Sequence, residues 1–324
     1  MKKQLYRLIK LFLLMAFSFT LITACYQPVS QKHHLSTKTA TGIPVETKMV
    51  SHALGQIEIP LHPQRVVVLE HYFLLDSLLA LGIKPVGIPT CLTCMHEDKL
   101  TKLVTNIPTV GDRGNPSLEK ILNLKPDLIL ALEWQKQSYP LLSAIAPTVM
   151  IPWNKLDFKK DLRYIAQVVG KSDRIEAIIT ESEKRIQQFR QKFGKELKAK
   201  TVSLVYLYGS DIYVYKPDTM YLSQILSEIG LQFTPTYKKM KDDVLLLSLE
   251  TLPEYDADFL FVSIEFNRDS GSPNSLSFLK QPIWSTLKAV RNKQVYVGQW
   301  GGVGGPITAN YFFDNLEQYF VNTP

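Results

Sequence analysis

Cys91-Leu-Thr-Cys94-Met-His96 is a spacing that could do redox or metal chemistry. In an oxidising compartment such a pair most simply closes a local disulfide that stiffens a loop. A second reading is an exported thiol-redox enzyme, although no neighbour of either cysteine is suited to activate a thiol. Met95 separates the pair from His96, so this is not a haem-attachment site. Zinc would need more ligands than Cys91, Cys94 and His96 supply.

A different chemistry lies where strands are expected to end. Reading the residues that follow each apolar run gives Glu70, His71 and Tyr72; Glu133 and Trp134; Tyr208; Glu265, Asn267 and Arg268; and Trp300. Arg113, in the loop Gly111–Pro116, falls on the same side. In an open α/β sheet ligands bind beyond the carboxyl ends of the strands. Aromatic, Arg and Asn side chains converging there describe a cleft for a polar, partly anionic small molecule. Glu70, Glu133 and Glu265 could instead form a hard-cation site, but solvated or Arg-paired acids are the ordinary reading. No GxSxG, HExxH or GxxxxGK[ST] pattern occurs. Gly301-Gly302-Val303-Gly304-Gly305 could cradle a phosphate, but it lacks the Lys and Ser/Thr of such loops.

The elements that must position these residues alternate in type. Arg65–Leu69 reads as a buried strand, and Leu74, Leu75, Leu78, Leu79 and Leu81 recur at helical spacing before Gly82. Val86–Ile88 is a further strand, Ser117 caps a short helix, and Asp127–Leu132 is another buried strand. Asp157 to about Lys198 is helical apart from Gly170–Asp173, where Ser172 or Asp173 would cap the second piece. That piece is long enough to bridge two lobes. A second set follows: Thr201–Tyr208, a turn into Ile212–Tyr215, a helix over Met220–Ile229 closed by Gly230, then strands Phe259–Ile264 and Gln294–Val297. Pro306 opens a terminal helix.

The phrase Ser117-Leu-Glu119…Asp127 recurs as Ser248-Leu-Glu250…Asp258, 131 residues later and with the same Glu-to-Asp gap. A repeat of this kind predicts two related lobes. Strand-helix-strand alternation makes each an α/β, Rossmann-like lobe with a parallel-type sheet, the two joined by a single long helix. The expected divisions are 1–24, a lipoprotein signal peptide; 25–48, a flexible tether; 49–156, the N-terminal lobe; 157–198, the helical segment; and 199–324, the C-terminal lobe.

The leader sets the compartment. Met1–Lys10 is basic, and Leu11–Ile22 is an apolar run below the ~20 residues of a membrane span. Ile22-Thr-Ala-Cys25 resembles a bacterial lipoprotein processing site, which makes Cys25 the lipidated residue and the mature protein exported and tethered to the cell membrane. The net charge of +7 falls to +3 without the four basic residues of the leader. So mild an excess gives no case for nucleic acid.

Pro63-Gln-Arg-Val-Val-Val-Leu69, Ala80-Leu-Gly-Ile-Lys-Pro-Val-Gly87 and Pro116-Ser-Leu-Glu119…Leu124-Lys-Pro-Asp-Leu-Ile-Leu130 resemble the iron-siderophore and cobalamin type of periplasmic substrate-binding protein, from about residue 50 onward. The resemblance implies a class III binding fold with little hinge closure, delivering its ligand to an ABC importer. It places the permease-docking acids at Glu119 and Glu250 and a ligand-contacting Arg at Arg113. The closing Trp300-Gly-Gly-Val-Gly-Gly-Pro306 is similar to cyanobacterial members. The Cys91–Cys94 loop departs from the common pattern. The expectation is therefore a monomeric receptor for a ferric siderophore, of hydroxamate or citrate-hydroxamate type, with cobalamin or haem as the alternative. Iron would travel inside its chelator, so neither a cofactor nor a protein metal site is required. Arg113 and Arg268 would offset the chelate's charge; Trp134, Tyr208 and Trp300 would meet its apolar edges; His71, Tyr72 and Asn267 would complete the site.

Overall fold

Val66, Val67, Val68 and Leu69 are all buried, and alternate members enter different cores: Val66 and Val68 one, Val67 and Leu69 another. A strand covered on both faces is what a central parallel sheet requires. The computed structural model containing it describes residues 45–90, 98–152, 157–265, 280–298, 300 and 304–321. The predicted leader, Cys25, Cys91, Cys94, Asn267 and Arg268 lie outside the described residues.

The described chain opens on a hairpin, whose second strand contains the expected opening element Ile57–Ile59. β1 (Thr47–His52) pairs antiparallel with β2 (Gly55–Pro60). Thr47 and Lys48, expected at the end of the tether, are thus already strand. Next come β3 (Val66–Val68), α1 (Phe73–Ala80), α2 (Leu118–Asn123), β4 (Leu128–Leu132) and β5 (Thr148–Ile151). The sheet runs in the order β3, β4, β5, all parallel. The predicted strand at Val86–Ile88 is present only as bridges, Gly87 to Val67 and Ile88 to Thr109.

α3 (Phe158–Val168) and α4 (Ser172–Leu197) follow. With 26 residues, α4 is roughly 39 Å long at ~1.5 Å per residue. It buries Ile175, Ile179, Ile186, Phe189 and Phe193 on one stripe. Neither Ser172 nor Asp173 caps it: Lys171 stands at that position, without a side-chain cap.

The second lobe is built on β6 (Thr201–Tyr208), β7 (Asp211–Tyr215), α5 (Tyr221–Glu228), β8 (Val244–Leu247), β9 (Phe259–Glu265), β10 (Val295–Gly298) and α6 (Pro306–Val321). Its main path is β8-β7-β6-β9-β10, and Gln232–Phe233 adds to β6. β6, β9 and β10 are parallel, as expected of a parallel-type sheet, and β7 and β8 extend its edge through antiparallel pairings. The reason is local. Gly209-Ser210 is a two-residue connection, and a parallel return needs a far longer crossover. Gly82 and Gly230 follow their helices at φ values of 78° and 111°, a region that favours glycine. Both sheets lie within one compact unit, Glu46–Pro324.

The repeated phrase has one structural job in common. Asp127 accepts from the backbone N–H of Gln64 (2.7 Å) and Arg65 (2.9 Å), fixing the start of β3 beside β4. Asp258 accepts from the N–H and the hydroxyl of Thr201, both at 2.8 Å, fixing the start of β6 beside β9. Burial alone would raise the Asp258 carboxyl, but Lys288 at 2.7 Å and the Thr201 donors outweigh it and hold the group at about 2. A depressed acid contributes stability above its unfolded value and loses it as pH falls through the folded one. Asp258→Ala should therefore cost about 1–3 kcal/mol at neutral pH. In urea melts the gap from wild type should close between about pH 4 and pH 2.

Candidate functional site

The carboxyl end of β3 leads into Glu70, a buried acid whose role is internal. Its carboxylate accepts from the N–H groups of Tyr72 (2.7 Å), Phe73 (2.8 Å) and Leu74 (2.8 Å), the open N-terminus of α1. Burial raises its pKa; those three donors and Arg113 act in the opposite direction. Glu70 is thus committed to the helix start and is not free to join a carboxylate metal site.

His71 follows it into the interior. The residue is 5% exposed, and neither ring nitrogen has a hydrogen-bond partner among the described residues. Its ring lies 4.1 Å from that of Tyr72. Burial, reinforced by the positive charge of Arg113, pushes its pKa down to about 3, so the imidazole is neutral at physiological pH. His71 therefore forms a neutral layer beneath the half-buried Tyr72 and shows no nitrogen to solvent.

Arg113 is exposed at the tip of a miniature hairpin in which Gly111–Asp112 pairs with Asn115–Pro116. The Asp112 carboxylate accepts from the N–H of Gly114 at 2.8 Å and tightens that tip. The guanidinium carbon lies 5.7 Å from the ring centre of Trp134, within cation–π reach. Trp134 is 43% exposed, unusual for so large an apolar ring. The two side chains offer a cation and a flat aromatic face at one place.

Gln135 holds this place together, and sequence reasoning missed it. Its amide nitrogen donates to the carbonyls of Leu69 (3.0 Å) and Arg113 (2.6 Å), while its oxygen accepts from the N–H of Leu132 (2.9 Å). One buried amide thereby ties the ends of β3 and β4 to the Arg113 loop. A Gln directly after an acid and an aromatic at a strand end was the available signal, but nothing in the sequence says that it points inward.

In the second lobe Tyr208 is half-buried at the carboxyl end of β6, its ring edge-on to Tyr213 at 5.4 Å. Trp300 is corrected. It is 0% exposed, packed against Phe261 and Phe312 with ring centres at 5.8 Å and 5.2 Å. Gly298 leaves the room for it, since a Cβ there would lie 2.4 Å from the indole. The ring therefore fills the core of its lobe and offers no edge to a ligand. Arg113, Trp134, Tyr72 and the underlying His71 are brought together on the first lobe; Tyr208 stands at the matching strand end of the second.

Glu119 and Glu250 are both exposed, each in the first turn of a short helix. Ser117 caps the first, its hydroxyl accepting from the N–H of Lys120 at 3.4 Å. The second copy is a 3-10 helix, Leu249–Tyr255, interrupted by Pro253. There the N–H of Glu250 itself and the hydroxyl of Ser248 bond the Glu250 carboxylate and lower its pKa. Neither acid is used by the interior.

Over residues 66–299 the chain matches the family described as periplasmic binding protein. It is 32% identical over 293 residues to "Probable siderophore-binding lipoprotein YfiY" of Bacillus subtilis (strain 168), covering 86% of this chain and 89% of that protein. The iron(3+)-hydroxamate-binding protein FhuD of the same organism is also 32% identical, covering 75% of this chain and 76% of its own. Among solved structures, Staphylococcus aureus SirA complexed with staphyloferrin B aligns with a TM-score of 0.73 at 26% identity, covering 85% of this chain and 99% of that one. With a match that runs from β3 past the end of β10, through both sheets and the long helix between them, the chain belongs to the periplasmic binding protein family.

Proposed function

We propose that the protein is an exported receptor, anchored by lipid on Cys25, that captures a ferric siderophore and hands it to an ABC importer without chemical change. The observation that carries this reading is the exposed Arg113–Trp134 pair at the strand ends. A guanidinium fixed over an indole suits an anionic chelate with flat, partly apolar arms, because charge supplies attraction and the ring supplies contact area. Iron is cargo, already enclosed by its chelator. The relatives support the class of ligand: FhuD is named for an iron(3+)-hydroxamate and SirA was solved with staphyloferrin B. Glu119 and Glu250, one on each lobe, serve the encounter with a permease dimer, each pairing with a cation on one subunit.

The test is a tryptophan-fluorescence titration against ferric hydroxamate, ferric citrate-type and ferric catecholate complexes, with cobalamin and haem as controls. Quenching by one ferric chelate class, reduced in Trp134→Phe, is the expected result. Absence of quenching by every ferric chelate, or a response to cobalamin or haem alone, would overturn the reading.

A further inference from the structure

The loop that Gly304-Gly305-Pro306 closes lacks the Lys and Ser/Thr of a phosphate cradle, and the helix start that follows it is filled from within the chain by the carboxylate of Asp76, from the other lobe. Asp76 lies on α1 and is fully buried. One oxygen accepts from the N–H of Ile307 at 2.8 Å; the other accepts from the N–H of Thr308 at 2.8 Å and its hydroxyl at 2.6 Å. Pro306 has no N–H, so these are the donors that the first turn of α6 has to give. The approach is close enough to dictate the sequence. A Cβ on Gly305 would lie 2.5 Å from the Asp76 carboxyl carbon, and one on Gly304 would lie 2.8 Å from Thr308.

We propose that Asp76 is a positioning residue for ligand capture: by gripping the N-terminus of α6 it sets the gap between the two lobes. α6 is part of the second lobe, where Phe312 packs on Phe261 and Trp300 and Phe320 packs on Phe259. α1 is part of the first, and its opening turn carries Tyr72 above His71. The carboxylate therefore joins the helix that begins at one half of the cleft to the helix that follows the rim strand of the other. Two further ties flank it. Phe158 of α3 stacks on Tyr221 of α5 with ring centres 3.3 Å apart, and Arg185 of α4 binds Asn310 (3.1 Å) and Asp314 (2.8 Å) of α6. Of the three, only the Asp76 grip acts directly between a cleft-bearing helix and α6. A site held open to one width needs no large closure, and its ligand meets an arrangement already made.

The grip itself does not depend on which ligand is bound; only its consequence for capture rests on the proposed function. Its test uses the mature chain without ligand, carrying spin labels on introduced non-natural residues at the exposed positions 122 and 246, one on each lobe. Pulsed dipolar spectroscopy should show one narrow distance population in the wild type. Asp76→Asn, Thr308→Val and Gly305→Ala should each broaden it. Val205→Ala, a core change within the second lobe, should lower Tm without broadening it. If the competent geometry falls to about a tenth of the population, affinity for a ferric trihydroxamate falls about tenfold. Unchanged distance distributions in Asp76→Asn and Gly305→Ala would overturn the proposal, as would broadening with unchanged chelate affinity. Should the distances broaden while even the wild type binds no chelate, the grip stands and the functional reading fails.

Discussion

Cells that carry Glu119→Arg together with Glu250→Arg should lose ferric-siderophore uptake, while the purified double variant binds its chelate within about twofold of wild type. Both acids are exposed in the first turns of their short helices, while the Arg113–Trp134 pair joins a hairpin tip to a strand end. Their substitution therefore leaves the ligand's contacts alone. The fold also has little at stake. Ser117 caps the first helix itself, and the Glu250 carboxylate bonds only its own N–H and the Ser248 hydroxyl at the start of the second. What remains is the encounter with a partner. Opposite charges steer association and fix register, whereas like charges brought together at an interface cost several kcal/mol. Reversal turns each proposed attraction into such a repulsion, so one reversed lobe should impair uptake and two should abolish it. Neutral Gln at both positions should fall between, with a shallower dependence on ionic strength than wild type in reconstituted vesicles, because the charges that salt screens are gone. Uptake that survives the double reversal would rule out the docking role.

The equivalence of the two lobes was visible in the sequence because it rests on local residues. Ser117 and Ser248 mark helix starts, Gly82 and Gly230 mark helix ends, and each Asp of the repeated phrase pins a neighbouring strand. The antiparallel pair β7–β8 was less visible, since a β-strand's own residues do not state the direction of its neighbour. The same short-range limit explains the site. Trp134 and Tyr208 could be placed from strand ends, and Arg113 from its loop and the family resemblance, but whether a residue faces solvent depends on distant partners. Glu70 turns inward because three N–H groups of the next helix await an acceptor. Trp300 turns inward because Gly298 and Phe312 leave it a cavity. Gln135 finds the Leu69 carbonyl from 66 residues away, and Asp76 finds Thr308 from 232. No pattern within a helix or strand encodes such meetings.

Arg113→Ala should weaken binding of an anionic ferric chelate by about 10- to 150-fold, the equivalent of ~1.5–3 kcal/mol for a hydrogen bond to a charged group. The pair's geometry says why this residue should dominate its lobe. His71 is buried and held neutral, and the Glu70 carboxyl is taken up by the N–H groups of α1, so among the described residues Arg113 is the cation set against Trp134. Its loop is tightened by Asp112 and fastened through Gln135, which means that little side-chain and loop order need be gained when a ligand arrives. Arg113→Lys keeps the charge but gives up the planar fork and the stacking on Trp134, so it should recover only part of the loss. A neutral chelate of similar size should lose far less in Arg113→Ala, because it keeps the contact area of the indole. Isothermal titration of the three proteins with a charged and an uncharged chelate separates these terms. Equal losses for both chelates would mean that Arg113 acts through packing, and unchanged affinity for both would remove the Arg113–Trp134 pair from the binding site altogether.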